Sequence, residues 1–199
     1  MLKGKPARMV KVDETTVRFE FDEPYHLFLN LLAGDTQIGG GQSRLQSDGR
    51  MLGLYSPAHY LKQFLPKYSS LEKVTANATA AGYKNWVEYL RVKGDWRLNT
   101  ELPTLAAWKV VQPINTQTWI MERNPYYWVV DSAGNQLPYI DRLQLALAEN
   151  PEVINLRAIA GEYDFMERFI DISKLPVFLE NAQKGNYKVA LDKGFSGGD

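Results

Sequence analysis

Residues 123–143, "RNPYYWVVDSAGNQLPYIDRL", constrain the fold more than any other stretch of the chain. Asp131-Ser132-Ala133-Gly134-Asn135 is a turn by composition, because short polar side chains and glycine serve the conformations that turns demand. Leu137-Pro138-Tyr139 is an extended clip, since the residue before a proline is pushed out of the helical region. The segment therefore makes a stiff strand-to-turn corner that leads into a further strand. Tyr126, Tyr127 and Trp128 are expected to be mostly core packing at that corner. Nothing in it resembles a catalytic triad, a metal site or a phosphate cradle.

The totals narrow the functional classes. At 199 residues the chain forms one large domain or two small ones, with a real core. Hydrophobic residues at 45% and charged residues at 23% are those of a folded globular protein, so disorder is not expected. Lysine plus arginine balance aspartate plus glutamate, 23 against 23, so no broad field draws the protein to nucleic acid or an anionic membrane. The absence of cysteine removes disulfides, thiolate metal sites and cysteine nucleophiles. No segment approaches the roughly 18 consecutive apolar residues of a membrane helix. The first residues, "MLKGKPARMVKVDETTVRFEF", lack the apolar core of a signal peptide and run straight into a strand pattern.

Periodicity assigns most of the remaining elements. Val17, Phe19 and Phe21 alternate with polar neighbours, and "VKVDETTVRFEF" reads as a hairpin turning at Asp13-Glu14-Thr15. Pro24 suits the first turn of a helix whose apolar face is Leu27, Phe28, Leu31 and Leu32, stopped by Gly34. "AGDTQIGGGQSRLQSDGRMLG" is a long polar loop, a kind of segment that is often functional. "SPAHYLKQFLPKY" and the stretches near 70–81 and 83–93 read as helices, and "GDWRLNTELPTLAAW" as irregular. "WKVVQPI" and "TWIMERN" form a hairpin around Asn115-Thr116-Gln117, and Leu143, Leu145 and Leu147 mark a further strand. Helix "PEVINLRAIAG", strand "YDFME", helix "DISKLPVFLENAQKG" and strand "NYKVALD" follow, with Tyr187, Val189 and Leu191 of the last expected inward. The class is α/β, or more loosely mixed α+β.

The motifs of catalysis are missing. Gly39-Gly40-Gly41 lacks the Lys-Ser/Thr of a phosphate loop, and Arg44 stands where a dinucleotide fingerprint needs its third glycine. His26 and His59 sit on separate expected helices without metal-ligand spacing. Carboxylate pairs are too numerous among 23 acids to signal glycosidase chemistry, and no Gly-x-Ser-x-Gly elbow occurs. The chain is read as a non-enzyme without cofactor or metal, a hydrolase or unrelated interaction domain being the remote alternative.

"ERNPYYWVVDSAGNQLPYIDRL", followed by "AGEYDF", resembles the extracellular solute-binding proteins of family 5, the dipeptide/oligopeptide class that serves ATP-driven importers. The matching positions are Arg123, Asn124, Pro125, Tyr127 and Trp128, then Gly161, Glu162 and Asp164. "VDETTVRFEFDEPYHLFLNLLAG" and "SPAHYLKQF" are similar to that family's upstream units, and the likeness runs from about residue 5 to residue 190. One departure is "LPTLAAW", which stands where the family often has Asn-Gly-x-Gly-x-Tyr. The resemblance implies part of a periplasmic-binding-protein-like type II lobe, a mixed β-sheet flanked by helices. It places 1–100 in the subsidiary domain of the first lobe and 101–199 in the central α/β part of its main domain, ending at a crossover to a second lobe. It further implies a signal sequence with a lipid-attachment cysteine outside the segment and, on the size of a second lobe, roughly three hundred further residues.

Solute capture needs a cleft with a few fixed polar groups and no nucleophile, in keeping with the empty catalytic inventory. The resemblance makes the loop after "GEYD" a cleft-lining stretch: Met166, Glu167, Arg168 and Phe169. Arg168 suits a ligand carboxylate and Glu167 an amine, the alternative being a salt-bridged surface turn. Phe195, Trp96, Gln42 and Arg44 are further candidates. An aromatic platform serves a peptide or a sugar ring equally, so peptide and oligosaccharide ligands both stay open. The expected partners are that ligand and the importer's permease subunits. The expected location is periplasmic or extracellular, attached at the cell surface.

Overall fold

The computed structural model describes residues 6–34, 41–42, 44–45 and 51–191, with only the backbone at 44, 45, 51 and 52. The chain divides into two compact units, Met1–Leu145 and Ala146–Asp199.

In the first unit β1 (Arg8–Lys11) pairs antiparallel with β2 (Val17–Glu20), from Arg8 opposite Glu20 to Lys11 opposite Val17. The turn falls where the sequence places it. Asp13 closes it by accepting hydrogen bonds from the amides of Thr15 and Thr16 at 2.8 Å each. Those bonds favour the ionised carboxylate and hold its pKa below the usual value. Helix α1 (Phe28–Ala33) starts later than its proline suggests, and Pro24 stays outside it. The reason is packing. Phe28 packs against two hairpin rings, 4.9 Å from Phe19 and 4.8 Å from Phe21, after Tyr25 has met Phe21 edge-on at 5.5 Å, whereas Leu27 is exposed.

Within the stretch expected to be one long loop, β3 (Arg44–Leu45) and β4 (Met51–Leu52) form a short antiparallel ladder. Gly39 and Gly40 lie outside the described residues. Helix α2 (Ala58–Leu61) continues through a 3₁₀ turn at Lys62–Phe64 into α3 (Pro66–Ser69). Helix α4 (Leu71–Ala80) is capped by Ser70, whose hydroxyl accepts from the Lys73 amide, and α5 (Trp86–Gly94) by Asn85, which accepts from the Glu88 amide. Val74 and Ala78, one helical turn apart, are the buried face of α4. Phe64 is buried beside Tyr60 and Tyr89, with ring centroids 5.4 and 5.3 Å away. Burying such a ring stabilises by about 2–3 kcal/mol. Both histidines are exposed, and no metal-capable group of His, Asp or Glu occurs among the described residues.

A three-stranded sheet in the order β5 (Trp108–Gln112), β6 (Thr118–Arg123), β7 (Arg142–Ala146) follows. The expected hairpin is present, with a bulge at Val111 between the Val110–Met121 and Gln112–Ile120 pairs. Gln112 Nε2 donates to Thr118 O at 2.7 Å across the turn.

The second unit holds α6 (Pro151–Ile159), capped by Asn150, a 3₁₀ turn at Ile172–Lys174, and α7 (Leu175–Asn181). The strands expected in "YDFME" and "NYKVALD" are not there: among the described residues neither stretch belongs to a ladder. A strand exists through its partner's backbone, and the described residues of this unit supply none to either stretch. Tyr187 turns to α7 instead, its hydroxyl donating to Phe178 O at 2.7 Å, while Leu191 is exposed rather than inward. Gly161 ends α6 with φ +77°, and a Cβ there would lie 2.1 Å from Gly185 O. Only glycine fits that crossing. Mixed α/β architecture is retained, carried by helices and small sheets.

Candidate ligand-binding site

The corner at 123–143 is built by polar side chains. Asn124 is buried, its Nδ2 bonded to Thr104 O at 3.3 Å and Ala106 O at 2.9 Å, and its Oδ1 accepting from the Tyr126 amide at 3.1 Å. Asp131 Oδ1 accepts from the amides of Ala133 and Asn135, and Oδ2 from the Asn135 side chain and the Tyr139 hydroxyl, the last at 2.5 Å. The Tyr139 bond is the main cause that brings the Asp131 pKa down to about 2. Gln136 Nε2 donates to Pro125 O and Tyr127 O, 2.8 Å each, closing the arch. The expectation of aromatic core packing fails here. Tyr126 is 90% and Trp128 77% exposed, and only Tyr127 is half-buried. Hydrogen bonds hold the corner, which frees its rings from that duty.

Trp96 is placed by its neighbours. The buried Asp95 carboxylate takes a two-pronged bond from Arg97, at 3.0 Å to Nε and 2.7 Å to Nη2, which keeps the guanidinium firmly protonated. Between these two residues, Trp96 lies 5.6 Å from Trp119 on β6, rings tilted by 35°. Trp119 Nε1 is buried with no hydrogen-bond partner among the described residues, and so is Gln42 Oε1. Gln42 Nε2 donates to Pro103 O at 2.9 Å, and its backbone forms a parallel bridge with Tyr55. Gly53 makes that approach possible, since a Cβ on it would stand 2.7 Å from Gly41 O. Arg44 lies in β3 opposite Leu52.

In the second unit Met166 is half-buried while Glu167, Arg168 and Phe169 are exposed, Phe169 at 67%. Neither Glu167 nor Arg168 has an ion-pair partner among the described residues, so the turn is not salt-bridged. Phe169 adopts φ 61°, rare for a large aromatic residue. Its carbonyl accepts from Asn155 Nδ2 at 2.9 Å. Phe195 lies outside the described residues. The structure thus associates Trp96 with Trp119 in one unit and assembles the Met166–Phe169 loop in the other. Sequence reasoning missed Trp119, read only as a strand residue, and Asn155. The signal for Asn155 was available: a lone amide amid the apolar positions of "PEVINLRAIAG".

The sequence profile described as bacterial extracellular solute-binding proteins, family 5, middle region, matches residues 2–195. The chain belongs to that family. A curated relative, the periplasmic alpha-galactoside-binding protein of Rhizobium meliloti, is 32% identical over 166 residues, covering 81% of this chain and 19% of the relative. Among solved structures, one titled oligopeptide-binding protein OppA is 39% identical with TM-score 0.74, covering 92% of this chain and 27% of that one. The periplasmic binding protein MelB of Agrobacterium fabrum, solved with stachyose, is 24% identical with TM-score 0.55, and shares the fold over 88% of this chain and 22% of that one. The family 5 chain described here therefore spans about a fifth to a quarter of the length of these relatives. No helix among its described residues is long and apolar enough to cross a membrane.

Proposed function

We propose that this family 5 protein is the substrate-binding component of an ATP-driven importer, capturing peptides outside the cytoplasmic membrane and delivering them to the permease. The observation that carries the reading is the 39% identity and TM-score of 0.74 to a structure titled oligopeptide-binding protein, over 92% of the chain. The chemistry of the Met166–Phe169 loop agrees with it. Exposed Arg168 and Glu167 are free to pair with the carboxylate and the amine that a peptide carries and a neutral sugar lacks. Ligand capture then proceeds by closure of two lobes, with residues 1–100 in the subsidiary and 101–199 in the main domain of the first. The same reading gives the intact protein a periplasmic or extracellular location and a lipid anchor at the cell surface.

An oligosaccharide ligand is the second reading. The 32% identity to an alpha-galactoside-binding protein favours it, as do the neighbouring indoles of Trp96 and Trp119, aromatic faces suited to sugar rings. Melting curves of the intact protein decide between them, because bound ligand raises the transition temperature. Short peptides are expected to raise it and stachyose to leave it in place. The reverse result transfers the assignment to sugars, and a protein that binds neither but hydrolyses a substrate overturns both.

A further inference from the structure

Among the buried polar side chains of the described residues, one amide does more than pack. We propose that Asn155 is the positioning residue of the Met166–Phe169 loop: from α6 it clamps the loop's far end and so sets the direction in which Glu167, Arg168 and Phe169 project. The proposal rests on the reading of that loop as ligand-contacting.

Asn155 is 2% exposed. Its Nδ2 donates to Pro151 O one helical turn back at 2.7 Å and to Phe169 O at 2.9 Å, and its Oδ1 accepts from the Asp171 amide at 2.9 Å. Both amide protons are thereby used. The two ends of the amide are not interchangeable, because Phe169 O requires a donor and the Asp171 amide an acceptor. Asparagine is a poor residue for a helix interior, competing with the helix for its backbone bonds. Its place in the middle of α6 is explained by the bonds it makes outside the helix.

Those bonds act on an unusual backbone. Phe169 is left-handed at φ 61°, a conformation that persists only where surroundings over-determine it. The clamp grips the residue's own carbonyl and the amide two positions on. Asp171 then caps the next turn, its Oδ1 accepting from the Ser173 amide at 2.9 Å. At the near end the chain is pinned by Gly161 against Gly185 and by the Glu162 amide bonded to Arg157 O at 3.0 Å. Residues 163–168 are thus held at both ends and project from a fixed base. Aspartate at 155 would face two carbonyl oxygens with a carboxylate, and serine would not span to Phe169 O, so amide chemistry at this position is specific.

The test uses the intact protein with Asn155→Ala, Asn155→Ser and, as the control for the loop itself, Arg168→Ala. Tetra-alanine and stachyose are the probes. Hydrogen exchange at the Asp171 amide and tryptic cleavage after Arg168 report the clamp, and are expected to rise by about tenfold or more in both Asn155 variants, while other cleavage sites stay as in wild type and the melt stays cooperative at a lowered midpoint. The affinity of the bound probe is expected to fall roughly tenfold in the Asn155 variants, although that side chain touches no ligand. Should Ala fail to fold, Ser and the slow exchange expected of Asp171 in the wild type still decide the matter. Exchange and cleavage unchanged, or raised evenly along the chain, would reduce Asn155 to an ordinary core residue and overturn the proposal. Loss of affinity in Arg168→Ala but not in the Asn155 variants also overturns it while sparing the loop's role. If neither substitution affects either probe, the ligand-contacting role fails and the proposal falls with it.

Discussion

The corner at 123–143 and the loop at 161–171 solve one problem in two ways. Each presents exposed aromatic rings on an irregular backbone, and each is fastened by a buried asparagine, Asn124 or Asn155. In the corner most fasteners are local: Asp131 bonds residues two to eight positions away, and Gln136 reaches back to Pro125 and Tyr127. In the loop the fastener comes from a helix fourteen to sixteen positions earlier in the chain. The corner closes largely on itself, with Asn124 also reaching Thr104 O and Ala106 O, whereas a loop clamped from a helix is only as well placed as that helix. That difference suits a rigid structural corner in the first case and, in the proposed function, a ligand-contacting loop in the second.

The contrast is breakable. The largest effect is expected at the base of the loop, where Gly161→Ala would force a side chain into a left-handed conformation and against Gly185 O. Denaturant unfolding of the intact protein should show a loss of about 3 kcal/mol or more. A loss under about 1 kcal/mol would mean that the loop is not pinned there. Next comes the corner's buried anchor. Asn124→Ala removes three hydrogen bonds and strands the carbonyls of Thr104 and Ala106, for an expected loss of about 2–3 kcal/mol. Ligand affinity should barely change, because the proposed contacts lie in the Met166–Phe169 loop. A matching fall in affinity would erase the distinction between the two regions.

The smallest effect is one of pH, and it is tested at the corner. Asp131 has its pKa depressed from 3.8 to about 2 in the folded state, chiefly by the Tyr139 hydroxyl. A depressed carboxylate contributes stability that is present in full above its unfolded pKa and is lost as pH falls through the folded one. Melting temperatures taken between pH 4 and 2 should therefore decline less steeply in Asp131→Ala than in wild type. Asp13, Asp171 and Glu101, whose pKa values are also lowered, contribute to both curves alike and cancel in the difference. Parallel curves would show that the Tyr139–Asp131 bond does not hold the corner in solution.

Much of this was legible without coordinates, and the reason is range. The hairpin around Asp13, the capped helices α4 and α5, the turn at Asn115–Gln117 and the Asp131 turn depend on residues within a few positions of one another, so short-range pattern suffices. The family signature is likewise a run of adjacent residues. What the pattern misjudged depended on partners. "YDFME" and "NYKVALD" alternate like strands, yet alternation states a preference and a ladder needs a second backbone. Tyr126 and Trp128 are apolar enough for a core, but burial is decided by what the fold lays over a residue. Asn155, Trp119 beside Trp96, and the glycine crossing at 161 and 185 became visible only when distant segments met, since hydrogen bonds and ring contacts act over a few ångströms of space regardless of separation along the chain.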